Sequence, residues 1–156
     1  MKSFRTRRHV SHSAADMFAL VCNVEAYPRF VPLCEGIKVR KRTETAPGVE
    51  ELVAEMQVGF KAICERYTSR VICDSNKLEV KVDYIDGPFR KLDNRWTFRE
   101  EAAGTDGRPR STIEFFIAYE FKSMALGLVM GAMFDRAFQK YADAFVARAD
   151  EVYRRR

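Results

Sequence analysis

The sequence predicts an α+β fold: a curved antiparallel sheet of about seven strands around a long C-terminal helix, with two short helices after the first strand. Between residues 37 and 121, successive runs alternate apolar and polar residues, as strands with one buried face do. Residues 123–153 repeat instead with the spacing of an amphipathic helix. A sheet with one apolar face and a single long helix buries that face by curling around the helix.

The N-terminal part predicts one weak strand, residues 4–10, followed by two short helices. In "SHSAADMFALVCNV", Ser13 precedes the apolar residues and Asp16 follows three positions later, which approximates a capping box. The segment "YPRFVPLCEG", residues 27–36, contains Pro28 and Pro32. Each proline lacks an N–H and restricts the residue before it, so we predict a short, proline-broken helical segment here.

Period-two alternation predicts five strands that are clearly amphipathic: 37–39, 52–58, 78–84, 92–98 and 113–121. A further run, residues 63–73, places Ile63, Tyr67 and Val71 on one parity and Cys64 and Arg66 on the other. We interpret it as a strand whose facing is open. The turn sequences "TAPGVE", "DSNK", "IDGPF" and "GTDGRP" fall between these runs and predict hairpin loops.

The predicted final helix, residues 123–153, changes character along its length. Its second half carries an apolar stripe that includes Phe138, Tyr141 and Phe145. Its start, "MALGLVMGAMF", is apolar on all sides, so it must be covered or lie near something apolar. Gly127 and Gly131 in this part allow either close backbone approach or room for a ligand.

Composition indicates one domain over residues 1–156, because 47% apolar and 31% charged residues are typical of globular chains of this length. The apolar run 124–134 is shorter than the roughly 20 residues of a membrane span. The basic N-terminus lacks the apolar core of a secretory signal, which predicts a cytoplasmic protein. The four cysteines show no CxxC spacing, and we expect free thiols and no zinc site.

Residues that could carry catalysis are scarce. The two histidines, His9 and His12, have no spacing for a metal site or a catalytic triad. Inward-facing polar candidates are Asn94, Tyr119 and either Arg8 or Arg66. The space between sheet and helix is either a packed core or an apolar cavity, and a binding module is favoured over an enzyme.

Three segments carry a family resemblance: "YPRFVPLCEGIKVRKR", "DGPFRKLDNRWTF" and "IEFFIAYEFKSMALGLVMGAMF". They resemble the coenzyme Q-binding START-domain family, a branch of the helix-grip (SRPBCC) superfamily, over essentially the whole chain. The resemblance implies a helix-grip fold with a hydrophobic tunnel. It also implies binding of ubiquinone or a similar polyprenyl lipid in support of respiratory electron transport, with no other cofactor. The chain departs from the family at Leu33, where tryptophan is common, and at Asn23, where an acidic residue is common.

The resemblance and the inward-facing positions together imply a set of ligand-binding residues in the tunnel and at its mouth, where "YPRFVPLCEG" would act as a lid. They are Tyr27, Phe30, Val31, Leu33, Met56, Trp96, Phe98, Phe115, Tyr119, Met130 and Phe134.

Two alternatives to quinone binding remain open. A second branch of the family is a toxin that binds the large ribosomal subunit and blocks subunit association, and a third possibility is a polyketide cyclase-like enzyme. The resemblance implies a strand pair with a basic surface, made of Arg5, Arg7, Lys38, Arg40 and Arg42. That surface would suit ribosomal RNA or transient contact with the anionic inner membrane.

Overall fold

The part of the chain described by the computed structural model, residues 2–60 and 62–153, forms seven strands, three α-helices and one 3₁₀ helix. In chain order the elements are β1 (Lys2–Val10), α1 (Ala14–Cys22), the 3₁₀ helix (Val24–Arg29), β2 (Cys34–Ala46), β3 (Val49–Phe60), β4 (Ile63–Asp74), β5 (Glu79–Asp86), β6 (Phe89–Glu101), β7 (Arg110–Phe121), α2 (Met124–Gln139) and α3 (Tyr141–Tyr153). The predicted α+β, helix-grip fold is confirmed.

All seven strands belong to one antiparallel sheet in the order β1-β7-β6-β5-β4-β3-β2. The alternation seen in the sequence is the alternation of the two sheet faces. Trp96 of β6, for example, lies opposite Phe115 of β7 and Val80 of β5, and all three side chains are buried on the concave face. This face packs against the helices and forms the core.

The structure shows which side chains of β4 face the core, a point that the sequence pattern did not decide. Tyr67, Ser69, Val71 and Cys73 point inward and are buried, whereas Cys64 is exposed. The run looked irregular because a buried serine stands among the apolar residues, and because Ile63 at its start is only half-buried.

The prediction of a single long helix over residues 123–153 is wrong in one respect. The helical region divides at Lys140 into α2 and α3. The Lys140 N–H bonds back to the carbonyls of Ala137 and Phe138, which tightens the last turn of α2. The two helices then pack on different partners: α2 lies on β7, and α3 lies on α1 and β1. No proline or glycine marks the break, so tertiary packing produces it.

Two short helices follow β1, as predicted, although the second begins earlier than expected, at Val24, and ends at Arg29. The Ser13 hydroxyl caps α1 by accepting from the Asp16 N–H at 3.1 Å. Pro28 lies within the 3₁₀ helix, and the Tyr27 hydroxyl donates to the Val21 carbonyl, which joins this helix to α1. The chain then turns into β2 through Leu33, whose φ of 67° is in the left-handed region.

The prediction that two basic strands lie side by side is wrong. β1, with Arg5 and Arg7, and β2, with Lys38, Arg40 and Arg42, are the opposite edges of the sheet. Several of these cations also have local partners. Arg7 pairs with Glu114 at 3.0 Å, Arg40 with Glu55 at 2.7 Å and Arg42 with Glu25 at 2.8 Å, and Arg5 lies over the Phe116 ring. β2 also departs from regular pairing with β3 at three places along its length.

Candidate functional site

An enclosed cavity of about 60 Å³ lies between the concave face of the sheet, the 3₁₀ helix and α3. The sheet supplies the floor and walls from β2 to β6, and the two helices supply the cover. Its lining residues are Val24, Tyr27, Ile37, Ala54, Met56, Tyr67, Ser69, Val71, Val80, Val82, Asn94, Trp96, Tyr141 and Phe145.

Phe145 of α3 holds the aromatic part of the cavity together. Its ring makes edge contacts with Trp96 on the sheet at 5.0 Å between centroids, with Tyr27 at 5.3 Å and with Phe30 at 5.0 Å. Such geometry is the favourable arrangement of aromatic quadrupoles. The 3₁₀ helix and Phe30 after it are therefore held to α3 by edge-to-face aromatic contacts.

Few polar groups face this cavity, and one of them is unpaired. The Ser69 hydroxyl is buried and has no hydrogen-bond partner among the described residues. The Tyr67 hydroxyl donates to the Met56 sulfur at 3.2 Å, a weak acceptor. The Asn94 amide donates to the Phe116 carbonyl at 2.9 Å. A buried hydroxyl without a partner is costly to the fold, so Ser69 marks a position where a ligand acceptor would be stabilised.

Burial raises the pKa of each tyrosine in the lining, Tyr27, Tyr67 and Tyr141, well above the ordinary value, and neighbouring tyrosine and cysteine groups raise it further. These phenols therefore remain neutral near pH 7 and can act as hydrogen-bond donors. The lining residues include no carboxylate, imidazole, ammonium or guanidinium group. The cavity can thus bind and orient a neutral ligand, but it holds no acid–base pair.

Five of the predicted ligand-binding residues line either the enclosed cavity or one of two surface grooves. Tyr27, Met56 and Trp96 line the enclosed cavity. Leu33 lines an open apolar groove beside α2, and Tyr119 lines a second groove at the start of α2.

The other six lie in the core around the cavity rather than on its surface. Val31, Phe98, Phe115, Met130 and Phe134 are buried, and half-buried Phe30 packs on Phe145 and under Arg148. Met130 and Phe134 belong to α2, whereas the helix that covers the cavity is α3. As ligand contacts, all eleven residues remain predictions.

Sequence reasoning missed several residues of the lining, including Ser69, Tyr67 and Phe145. Tyr141 and Phe145 were visible in the apolar stripe of the final helix, but the break at Lys140 decides which part of that stripe covers the cavity. Arg8 and Arg66, the predicted inward-facing cations, lie elsewhere: Arg8 bonds to Asp143 on α3, and Arg66 is exposed on β4.

Two larger open grooves flank α2. One, of about 530 Å³, lies between Leu33, Ile63 and the helix, and it ends at Arg136 and Lys140. The other, of about 440 Å³, lies where α2 follows β7. A Cβ atom added at Gly127 or Gly131 would come no closer than 3.9 Å to a neighbouring side chain. These glycines therefore border open space and are not required by close backbone packing.

The sequence matches the family described as "Polyketide cyclase / dehydrase and lipid transport" over residues 10–146. The chain belongs to this family. The match covers β2 to β7, α1, α2 and the part of α3 that contributes Tyr141 and Phe145, so every lining residue of the cavity lies within the matched range. Nothing in the description separates its enzymes from its lipid carriers.

Relatives of the chain carry both names expected from the resemblance. The ribosome association toxin RatA of Escherichia coli is 32% identical over 144 residues, which are 92% of this chain and 84% of that protein. The mitochondrial coenzyme Q-binding protein coq10 of Schizosaccharomyces pombe is 30% identical over 151 residues, 96% of this chain and 87% of that protein. The solution structure of an 18 kDa protein from Caulobacter crescentus is 32% identical, with a TM-score of 0.75 and coverage of 98% and 99%.

Proposed function

We propose that this protein binds ubiquinone or a similar polyprenyl lipid in the enclosed cavity and acts as a non-enzymatic carrier or chaperone in respiratory electron transport. The observation that carries the proposal is the unpaired Ser69 hydroxyl inside an otherwise apolar, aromatic-walled cavity. The similarity to the coenzyme Q-binding protein coq10 supports the same ligand class.

The polar groups of the cavity suit a quinone head group. A quinone ring presents carbonyl oxygens, which only accept hydrogen bonds, and a flat apolar ring. Ser69, Tyr67 and Tyr141 would supply neutral hydroxyl donors, while Trp96 and Phe145 would supply flat aromatic surfaces. Because the phenols stay protonated, no charge would have to be desolvated when the ligand enters.

Binding also requires the cavity to enlarge. Its volume of about 60 Å³ is far below the roughly 300–1,000 Å³ of sites for molecules of this size. The part of the cover between α1 and β2, which is the 3₁₀ helix and the following residues to Leu33, belongs to no strand of the sheet. We propose that this segment, held by the Tyr27 and Phe30 contacts to Phe145, is the lid that moves.

An enzymatic role has no support in the cavity. A cyclase needs a group that takes up or releases a proton at the reacting carbon. Asn94 is hydrogen-bonded to the backbone, and Tyr119, the other predicted polar candidate, borders the groove at the start of α2 instead of the cavity. We therefore propose ligand binding without catalysis.

Ribosome association is the second candidate, and the similarity to RatA favours it. Its surface would be the basic edge strand β2, with Lys38, Arg40 and Arg42. The proposed carrier role instead places the protein in the cytoplasm with transient contact to the inner membrane. The two candidates use different surfaces, and one set of variants can therefore separate them.

The experiment is lipid extraction and quinone titration of the purified chain. We expect mass spectrometry to find a polyprenyl quinone in the organic extract, and added ubiquinone to quench Trp96, the single tryptophan of the chain, to saturation. Absence of any prenyl lipid after incubation with membranes, together with unsaturable quenching, would contradict the proposal. Co-sedimentation with large ribosomal subunits that is lost in Arg40→Glu/Arg42→Glu would favour the second candidate.

A further inference from the structure

The first two turns of α2 expose large aliphatic side chains to solvent. Met124 is 85% exposed, Leu128 81% and Val129 63%, whereas the other exposed large apolar residues, Ile85 and Val152, are less accessible and lie on β5 and α3. Met124 and Leu128 are one helical turn apart and Val129 is adjacent, so the three form one patch. We call this patch, with its two flanking grooves, the α2 face.

Cations surround the α2 face. Arg136 and Lys140 border the groove on one side, and Lys2, Arg90 and Lys122 border the groove on the other, against the single carboxylate of Glu120. Arg136 and Lys140 have no carboxylate within 4.0 Å among the described residues. Arg90 and Lys122 have exposed pairs at 3.8 and 3.9 Å, which neutralise little of their attraction to another partner.

The chemistry of the α2 face favours a lipid surface over a protein. Protein interfaces concentrate tryptophan, tyrosine and arginine at their centres, whereas the centre here is made of methionine, leucine and valine. An aliphatic helix face with a rim of lysine and arginine is the pattern of helices that lie in the boundary between head groups and acyl chains. The rim is complementary in charge to anionic phospholipid head groups.

We propose that the α2 face docks on an anionic phospholipid bilayer. Met124, Leu128 and Val129 enter the acyl boundary, and the five cations contact phosphate groups. This inference rests on the proposed function, because a carrier of a ligand dissolved in the bilayer must reach it. At the C-terminal end of the face, Lys140 borders the groove, and the next residue in the chain, Tyr141, lines the cavity.

The test is flotation of the full chain with vesicles of phosphatidylcholine, with and without phosphatidylglycerol and without quinone. We expect flotation that depends on phosphatidylglycerol and weakens with added salt. Leu128→Ser/Val129→Ser should lower vesicle partitioning by about tenfold or more. Arg136→Gln/Lys140→Gln should lower it about fivefold for each cation removed.

Matched controls use equivalent substitutions away from the α2 face. Ile85→Ser/Val152→Ser removes exposed apolar side chains, and Lys77→Gln/Arg108→Gln removes exposed cations, and both should float like the unmodified chain. Ubiquinone quenching of Trp96 in detergent micelles is measured for every variant. Loss of quenching with retained flotation would reject the proposed ligand and leave the docking inference standing.

Equal flotation of the α2-face variants and the controls would overturn the inference, as would flotation that ignores phosphatidylglycerol. Analytical ultracentrifugation without lipid checks the other occupant, a second copy of the chain. If the protein is a dimer that Leu128→Ser/Val129→Ser converts to a monomer, the α2 face is a subunit interface and the bilayer proposal is wrong. A monomer in both cases agrees with docking on lipid.

Discussion

At the scale of single residues, Ser69 is a buried hydroxyl that the described part of the chain leaves without a hydrogen-bond partner. Its hydroxyl lies on the concave face of β4, 4% of the residue is exposed, and no described group accepts or donates to it. An alanine there would avoid the cost of burying an unpaired hydroxyl. Ser69 therefore lowers the stability of the folded state, and a hydrogen bond to a ligand would offset that loss.

Ser69→Ala should leave the free energy of unfolding unchanged or raise it by up to about 1 kcal/mol, because it removes the unpaired group. The same change should weaken ubiquinone binding by about three- to tenfold, the value of one ordinary hydrogen bond. Urea denaturation and Trp96 quenching measure the two effects. Ser111→Ala is the control, since Ser111 is equally buried and unpaired but does not line the cavity. Identical binding losses in both variants would mean that Ser69 acts only through the fold.

At the scale of elements, the turn between β5 and β6 packs closely against β4 at Tyr67, a residue that lines the cavity. Gly87 has a φ of 147°, and a Cβ atom there would lie 2.5 Å from Cβ of Tyr67 and 2.9 Å from its Cα. Only glycine lets this turn approach β4 so closely. The position of Tyr67 in the cavity thus depends on Gly87, which lies in the turn after the next strand.

Gly87→Ala should lower the free energy of unfolding by more than Gly107→Ala does. Both glycines have positive φ, but a Cβ atom at Gly107 meets nothing within 4 Å. The control should therefore cost about 1 kcal/mol from backbone strain alone, and Gly87→Ala about 1–3 kcal/mol more because β4 must shift. Urea denaturation compares the two variants. Equal losses of stability would show that the close approach to Tyr67 is easily relieved.

At the scale of the whole molecule, a buried set of tyrosines ties stability to alkaline pH. Burial raises the pKa of Tyr67 and Tyr141 above the ordinary value of 10.0, and burial with the nearby Asp135 carboxylate raises the pKa of Tyr119 to about 12. The folded chain therefore holds protons that the unfolded chain releases. The stabilisation from these neutral phenols is complete below about pH 10 and is lost as pH rises through the folded-state pKa values.

We expect the free energy of unfolding to change little up to about pH 9 and to fall steeply above about pH 10, by about 1.4 kcal/mol per pH unit for each fully buried phenol. Tyr67→Phe should have a shallower alkaline slope, because one titrating group is absent. The comparison needs only denaturation curves of both proteins near pH 8 and near pH 11. Equal slopes would mean that Tyr67 reaches solvent before the chain unfolds.

The strands are encoded by neighbouring residues, whereas the helix break and the cavity lining depend on residues distant in the sequence. Period-two alternation is a local signal, and it was sufficient to predict the strands and the sheet. The break at Lys140 was not predictable, since Gln139 and Lys140 are ordinary helix residues and the cause is packing of α2 and α3 on different elements. That break places Tyr141 and Phe145 of α3 over the cavity, whereas Met130 and Phe134 belong to α2. Ser69 was missed because one serine in a strand carries no pattern.

The irregular pairing of β2 with β3 affects whether the exposed edge of the sheet can pair with a strand of another molecule. Its register with β3 shifts between Cys34 and Gly36, Val39 and Lys41, and Glu44 and Ala46, and most of its outer half is exposed and charged. A flat edge strand would offer its free N–H and C=O groups to another chain and seed aggregation. Bends and closely spaced lysine and arginine side chains prevent a neighbouring strand from aligning there. The lysine and arginine side chains that make β2 basic thus also disfavour edge-to-edge pairing of two sheets.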